Sequence, residues 1–451
     1  MPPLQHTEGD ANTSAARADW AAKETDAQTR ALLERDADAF LHQSLSSPCA
    51  STIAKAEGIW IEDTAGRRYM DFHGNSVHHI GYGHPRLIAA IKDQLDALPF
   101  SPRRFTNEVS VELAERLGAL APWPAKVLFT TGGSDAVEVA LKIARAATGR
   151  FKTLSFWDSF HGAGFGASSV GGEATFRSKI AGPLLPGAEH VAPFHCYHCA
   201  YGHPGPETCR LACAHMARFV LEREGDIAAV VGEPMRAVPV VPPPNYWQAV
   251  EAAARAQGTL LIMDEIPTGL GKTGRFFAHD HDGITPDIIV LGKALGGGVL
   301  PIAAVLARAD LDVAGDFAIG HYTHEKNPVT ARAALTTLDI IEDEGLAERA
   351  DRLGGHAMAR LNHSLHENPI VGDIRGRGLM FGIEIVSDRD TRSQDPDRAE
   401  HILYRCLAEG LSFKVSAGNV LTLSPPLTIS EDDLNQALTI VEDAIRSATH
   451  P

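Results

Sequence analysis

The residues most suited to chemistry in this chain follow apolar runs. In DIIVLGKALGGG, Lys293 leaves what reads as a buried strand and is followed by a glycine run. Burial disfavours the ammonium, and a neutral lysine amine is a Schiff-base nucleophile. A lysine emerging to solvent at a strand end fits the same letters. Asp264 ends the run TLLIMDE. A carboxylate so placed needs a cationic or hydrogen-bonding partner. The protonated pyridine nitrogen of pyridoxal 5′-phosphate (PLP) is such a partner, and the pairing keeps that ring an electron sink. An aspartate capping the next turn is the plainer alternative. In TTGGSDAVEVALKIAR, Gly133 and Ser134 open a helix. Backbone N–H groups and the helix dipole there can receive phosphate, or the pair can serve as an ordinary N-cap. Two other glycine-rich stretches fit phosphate poorly. GLGKTG at 269–274 has Ile266 where a Walker A loop needs its first glycine, and GAGFG at 162–166 lacks the dinucleotide fingerprint.

The elements that position these residues repeat a pattern. Short apolar runs at Val127–Thr130, Thr153–Phe156, Ala228–Val231, Thr259–Met263 and Ile288–Leu291 alternate with helical stretches such as Asp135–Ala147 and Tyr246–Gln257. Alternation of this kind predicts an α/β fold, a mostly parallel central sheet covered on both faces. Ligands in such sheets lie beyond the carboxyl ends of the strands. Gly133-Ser134, Phe160-His161, Glu233, Asp264 and Lys293 all follow a run in this way. Residues 1–72 read as a helical segment, from Ala15 to Phe40, and a hairpin at 58–72 around Asp63–Gly66. Residues 73–330 read as the large domain that carries these positions, which the resemblance below makes the PLP-binding domain, with a cysteine-rich insert at 195–215. Residues 331–451 read as a connecting helix, from about Asn327, and a smaller α+β C-terminal domain.

Composition narrows the partners. With 451 residues, 44% hydrophobic and 22% charged, the chain is long enough for two or three domain-sized units. A net charge of -16 argues against nucleic acid and anionic membranes. No apolar stretch is long enough to span a bilayer, and MPPLQHTEGDANTSAARADW lacks the basic and apolar regions of a signal peptide. A cytoplasmic location is expected.

In this order the pieces resemble class III aminotransferases of fold type I, from about Ile59 to the C-terminus. The most specific stretch is MDEIPTGLGKTGRFFAHDHDGITPDIIVLGKALGGGVLPIAA, residues 263–304. The resemblance implies that Lys293 holds the cofactor and moves the Cα proton, and that Asp264 pairs with the pyridine nitrogen. It implies that Ile266 packs on one ring face and Phe160, of the Phe160-His161-Gly162 motif, on the other. Gly133 and Ser134 would hold the phosphate, and Glu233 would lie near the ring. Thr323, in HYTHEKNP, matches a threonine that reaches the neighbouring subunit's cofactor, which implies a homodimer with shared active sites.

Three positions depart from that pattern. Pro267 stands where many relatives have glutamine, and Phe160 where tyrosine is common. Thr422, before Pro425-Pro426, stands where many carry an arginine that grips the substrate α-carboxylate. A bidentate arginine has no close neutral substitute. A small-molecule amine without an α-carboxylate, an aminophosphonate among the options, is therefore expected as substrate. Arg103, Arg104, His78, Arg375 and Arg377 are candidate anion grips, each equally readable as a surface residue, or for Arg375 as a structural one. EGDANTSAARADW, DEIPTGLGKTG, the cysteine-rich insert and SFKVSAGNVLTLSPPL resemble the branch that contains (R)-1-hydroxy-2-aminoethylphosphonate ammonia-lyases. That branch implies β-elimination; the wider family implies transamination with a 2-oxo acid. A non-catalytic PLP-binding regulator is a third class, but no helix-turn-helix pattern precedes the matching region.

HCYHCAYGHPGPETCRLACAH spaces Cys196, Cys199, Cys209 and Cys213 as C-x2-C-x9-C-x3-C. The spacing suits a structural tetrahedral zinc. Reduced thiols, or disulfides under oxidising conditions, fit it equally.

Overall fold

A computed structural model describes residues 14–43, 49–177 and 181–449. Residues 8–13, part of the N-terminal resemblance, lie outside them. Contacts divide the chain into two compact units, one spanning 85–348 and the other joining residues up to His84 with those from Arg349 onward. This differs from the three-part division expected. The N-terminal segment belongs with the C-terminal part because strand Arg68–Asp71 pairs in parallel with Leu411–Ser412, and Trp20 of helix Ala15–Glu24 packs on Tyr404.

The unit 85–348 is built on seven strands: β1 (Ala125–Thr130), β2 (Lys152–Phe156), β3 (Ala188–Val191), β4 (Ile227–Gly232), β5 (Leu260–Asp264), β6 (Ile288–Leu291) and β7 (Ala303–Arg308). Their order is β1-β7-β6-β5-β4-β2-β3. β2 through β6 pair in parallel. β7 runs antiparallel to both β6 and β1, so β1 points the same way as the parallel set. The chain reverses into β7 through Gly297 and Gly298, both at positive φ, where glycine alone carries no steric cost. β4, β5 and β6 are buried along their whole length, as strands covered on both faces must be. Helix Gly133–Thr148 puts Ala136, Val137, Ala140 and Ile143 into the core with Val231, Ile262 and Val290.

In the other unit, Val371–Arg377, Met380–Asp388, Val420–Leu423 and Lys414–Ser416 form an antiparallel sheet. Strands Trp60–Glu62 and Arg68–Asp71 form the expected hairpin, with the Asp63 carboxylate accepting from the N–H of Ala65 and Arg67. The α/β, fold type I architecture expected from the sequence is present.

Candidate active site

Every strand whose carboxyl end carries a candidate residue points to the same edge of the large sheet. β5 ends at Asp264, which is 2% exposed. Its Oδ2 lies 2.8 Å from His161 Nδ1, and its Oδ1 accepts from the Ile266 N–H at 3.1 Å. His161, also 2% exposed, therefore donates through Nδ1, while its Nε2 is buried with no partner among the described residues. Burial opposes charge on this imidazole. The hydrogen bond and charge of Asp264, with Glu233 beyond, outweigh burial and hold its pKa above the ordinary histidine value.

Glu233 follows β4 and is likewise enclosed. Burial pushes its carboxyl up to about 7, against the pull of His161 and Arg236. Arg236 was not singled out by sequence reasoning. It donates to the Asp158 carbonyl, so the Glu233 loop clamps the segment that presents Phe160 and His161. No motif signals that role, because it depends on the proximity of β2 and β4.

Lys293 opens a short 3-10 turn, separated by one residue from β6, the strand paired with β5 and Asp264. It is half-buried, less enclosed than expected. Its φ of 45° is unusual for a residue with a side chain, a strain of roughly 1–2 kcal/mol that surrounding structure must hold.

Helix Gly133–Thr148 begins at Gly132, which provides no side-chain cap. The N–H groups of Gly133 and Ser134 precede the first intrahelical bond, Ala136 to Gly132. Such an uncapped start is an anion seat. A Cβ on Gly133 would come within 2.7 Å of Ile266 Cδ1, and one on Gly162 within 2.4 Å of Ser134 Oγ. Ser134 Oγ accepts from the Ala163 N–H at 3.1 Å. The glycines of GAGFG thus make room for the helix: a Cβ on Gly166 would strike the Glu138 carboxylate. Phe160 is half-buried and packs on Phe176 at 4.5 Å between centroids. Thr323 stands exposed on the turn before helix Pro328–Asp343, outside the buried group.

The group fits PLP in kind. It supplies an amine at a strand end, a buried carboxylate with a histidine behind it, an uncapped helix start, and glycine-widened space beside Ile266. The chain matches the family described as Aminotransferase class-III over residues 43–445.

It belongs to the class III aminotransferase family.

Class III enzymes are PLP-dependent and include lyases, racemases and transaminases. The chain is 44% identical over 97% of its length to the (R)-1-hydroxy-2-aminoethylphosphonate ammonia-lyase of Vibrio splendidus (strain 12B01), covering 95% of that protein. It is 37% identical over 88% of its length to the leucine/methionine racemase of Thermococcus litoralis, covering 91%. The omega transaminase of Pseudomonas jessenii in complex with PMP superposes with a TM-score of 0.87 at 30% identity, over 93% of this chain and 98% of that one. No helix among the described residues is long and apolar enough to cross a membrane.

In the other unit, Thr422 is 2% exposed and donates to Ser416 Oγ at 2.9 Å. It is a satisfied buried hydroxyl. Arg375 is held by Asp373 and Glu384 at 3.0 and 2.6 Å, which makes it structural. Arg103 lies against the His321 ring at 2.7 Å. The four cysteines of the insert, all thiols, line one small cavity. Among the described residues, no group of three or more His, Cys, Asp or Glu side chains is placed to hold a metal ion.

Proposed function

We propose that this class III enzyme is an ammonia-lyase that converts (R)-1-hydroxy-2-aminoethylphosphonate to phosphonoacetaldehyde and ammonia. The observation that carries the reading is the 44% identity, across 97% of the chain, to a lyase of that name. Thr422 supports it: a hydroxyl bonded to Ser416 offers no charge to an α-carboxylate, and this substrate has none.

PLP held in the candidate active site would supply an electron sink for the carbon next to the substrate nitrogen. Lys293 would hold that cofactor and take the proton from the nitrogen-bearing carbon. Asp264, oriented by His161 and the Ile266 N–H, would keep a proton on the ring nitrogen. Gly133 and Ser134 would seat the phosphate, and Ile266 and Phe160 would flank the ring. Loss of that proton and of the neighbouring hydroxyl, which departs as water, leaves an enamine. Tautomerisation and hydrolysis of the enamine return the water and yield the aldehyde and ammonia, so the reaction needs no oxidant and no second substrate. The exposure of Thr323 suits a homodimer in which it reaches the neighbouring subunit's cofactor.

Transamination is the second reading, favoured by the likeness to the Pseudomonas jessenii omega transaminase. Ammonia release from the aminophosphonate by PLP-loaded enzyme, with and without pyruvate, separates the two. Ammonia and phosphonoacetaldehyde without pyruvate are expected. Alanine formed only when pyruvate is present would overturn the lyase reading and establish a transaminase.

A further inference from the structure

The insert after β3 brings four thiols to the lining of one small cavity. Cys196 and Cys199 lie on the loop, Cys209 ends the short helix Pro206–Cys209, and Cys213 sits in the first turn of helix Ala212–Glu224. Arg210 and Leu211, between the last two, are both in the left-handed region. That conformation is costly for residues with side chains, and here it turns the chain back so that Cys209 and Cys213 line the same space. The cavity is about 10 Å³, bounded by the four cysteines, His195, Tyr201 and three prolines. That is roughly the room of one water-sized sphere.

A second observation lies behind Cys213. Tyr246 is fully buried in the same core cluster as Cys213, and its hydroxyl has no hydrogen-bond partner among the described residues. A buried, unsatisfied O–H costs about 1–3 kcal/mol. It becomes useful if the sulfur beside it carries charge, because a donor to a ligating sulfur is how a metal site is commonly supported from behind. Packed against Phe194 and Trp247, this ring is fixed in place.

We propose that Cys196, Cys199, Cys209 and Cys213 form a structural tetrahedral site for zinc, with Tyr246 supporting the Cys213 sulfur. Four thiolates suit zinc in charge and softness and leave no open position, which assigns the metal to holding the insert together. Binding turns the sulfurs inward to roughly 2.3 Å from the ion and releases four protons to solvent. The chemistry proposed at Lys293 does not require it.

The test uses the full chain loaded with PLP, produced in zinc-supplemented medium and passed over a chelating resin. About one zinc per chain is expected by elemental analysis, released by an organomercurial thiol reagent. Cys199→Ser and Cys209→Ser should each lower that content several-fold, with the cofactor absorbance retained. Growth on cobalt in place of zinc should give the intense near-ultraviolet sulfur-to-metal band of a thiolate site, a reading on the unaltered sequence if the variants fail to fold. Zinc below about 0.2 per chain in the wild type would overturn the proposal, as would undiminished zinc in both folded variants or two disulfides found by mass spectrometry.

Discussion

His161 Nδ1 sits 2.8 Å from Asp264 Oδ2, with both side chains sealed from solvent. The pair joins the segment after β2 to the end of β5 and fixes the carboxylate that faces the ring nitrogen in the proposed site. His161→Leu removes the donor while keeping the volume. A hydrogen bond to a charged group is worth about 1.5–3 kcal/mol, so kcat should fall roughly 10–100-fold. Absorbance of the Lys293-linked cofactor should persist. An unchanged kcat would show that Asp264 needs no orienting partner.

Glu233 predicts a pH dependence of stability. Its folded-state pKa, up to about 7, exceeds the ordinary carboxyl value of 4.5. The folded chain therefore binds more protons than the unfolded chain between those values, and stability falls as pH rises through that window. The raised His161 pKa acts in the same direction, its contribution being lost as pH rises past the ordinary 6.5 and through the folded value. Glu233→Gln should flatten the decline in urea midpoint between about pH 5 and 7. A slope equal to the wild type would refute the assignment.

Gly162 has φ 126°, and a Cβ there would lie 2.4–2.8 Å from Ser134 atoms, backbone included. Gly162→Ala should therefore destabilise by about 1–3 kcal/mol. It should also weaken PLP binding, because the helix start at Ser134 has to move. Calorimetry and cofactor titration read the two effects; a variant with wild-type PLP affinity would separate Ser134 from the phosphate seat.

Thr422→Val deletes the bond to Ser416 Oγ and leaves a buried hydroxyl to find another partner. A loss of about 1 kcal/mol in unfolding free energy is expected. Turnover of the aminophosphonate should stay within about twofold of wild type, since in the proposed reaction Thr422 grips nothing. A large rise in KM would place it in substrate binding.

Much of this arrangement was legible in the letters. Runs such as Ile288–Leu291 and Thr259–Met263 match β6 and β5 within a residue, because strands buried on both faces must be continuously apolar. What lay beyond reach depends on partners distant in sequence. Ala303–Arg308 lies outside the five runs named above, and its antiparallel direction follows from the turn at Gly297 and Gly298. Arg236 is an ordinary arginine until β2 and β4 bring Asp158 beside it. The single helical stretch expected from Ala15 to Phe40 is two helices, broken where Asp26 caps the second.

The parallel pairing of Met70 with Leu411 has a consequence for the order of biosynthesis. The unit 85–348 is one unbroken stretch and can fold while the ribosome is still translating. The strand at 68–71 emerges early and must wait for about 340 further residues before its neighbour exists. Until then the edge that Leu411–Ser412 later covers is unpaired, so the N-terminal hairpin completes its sheet only late in synthesis.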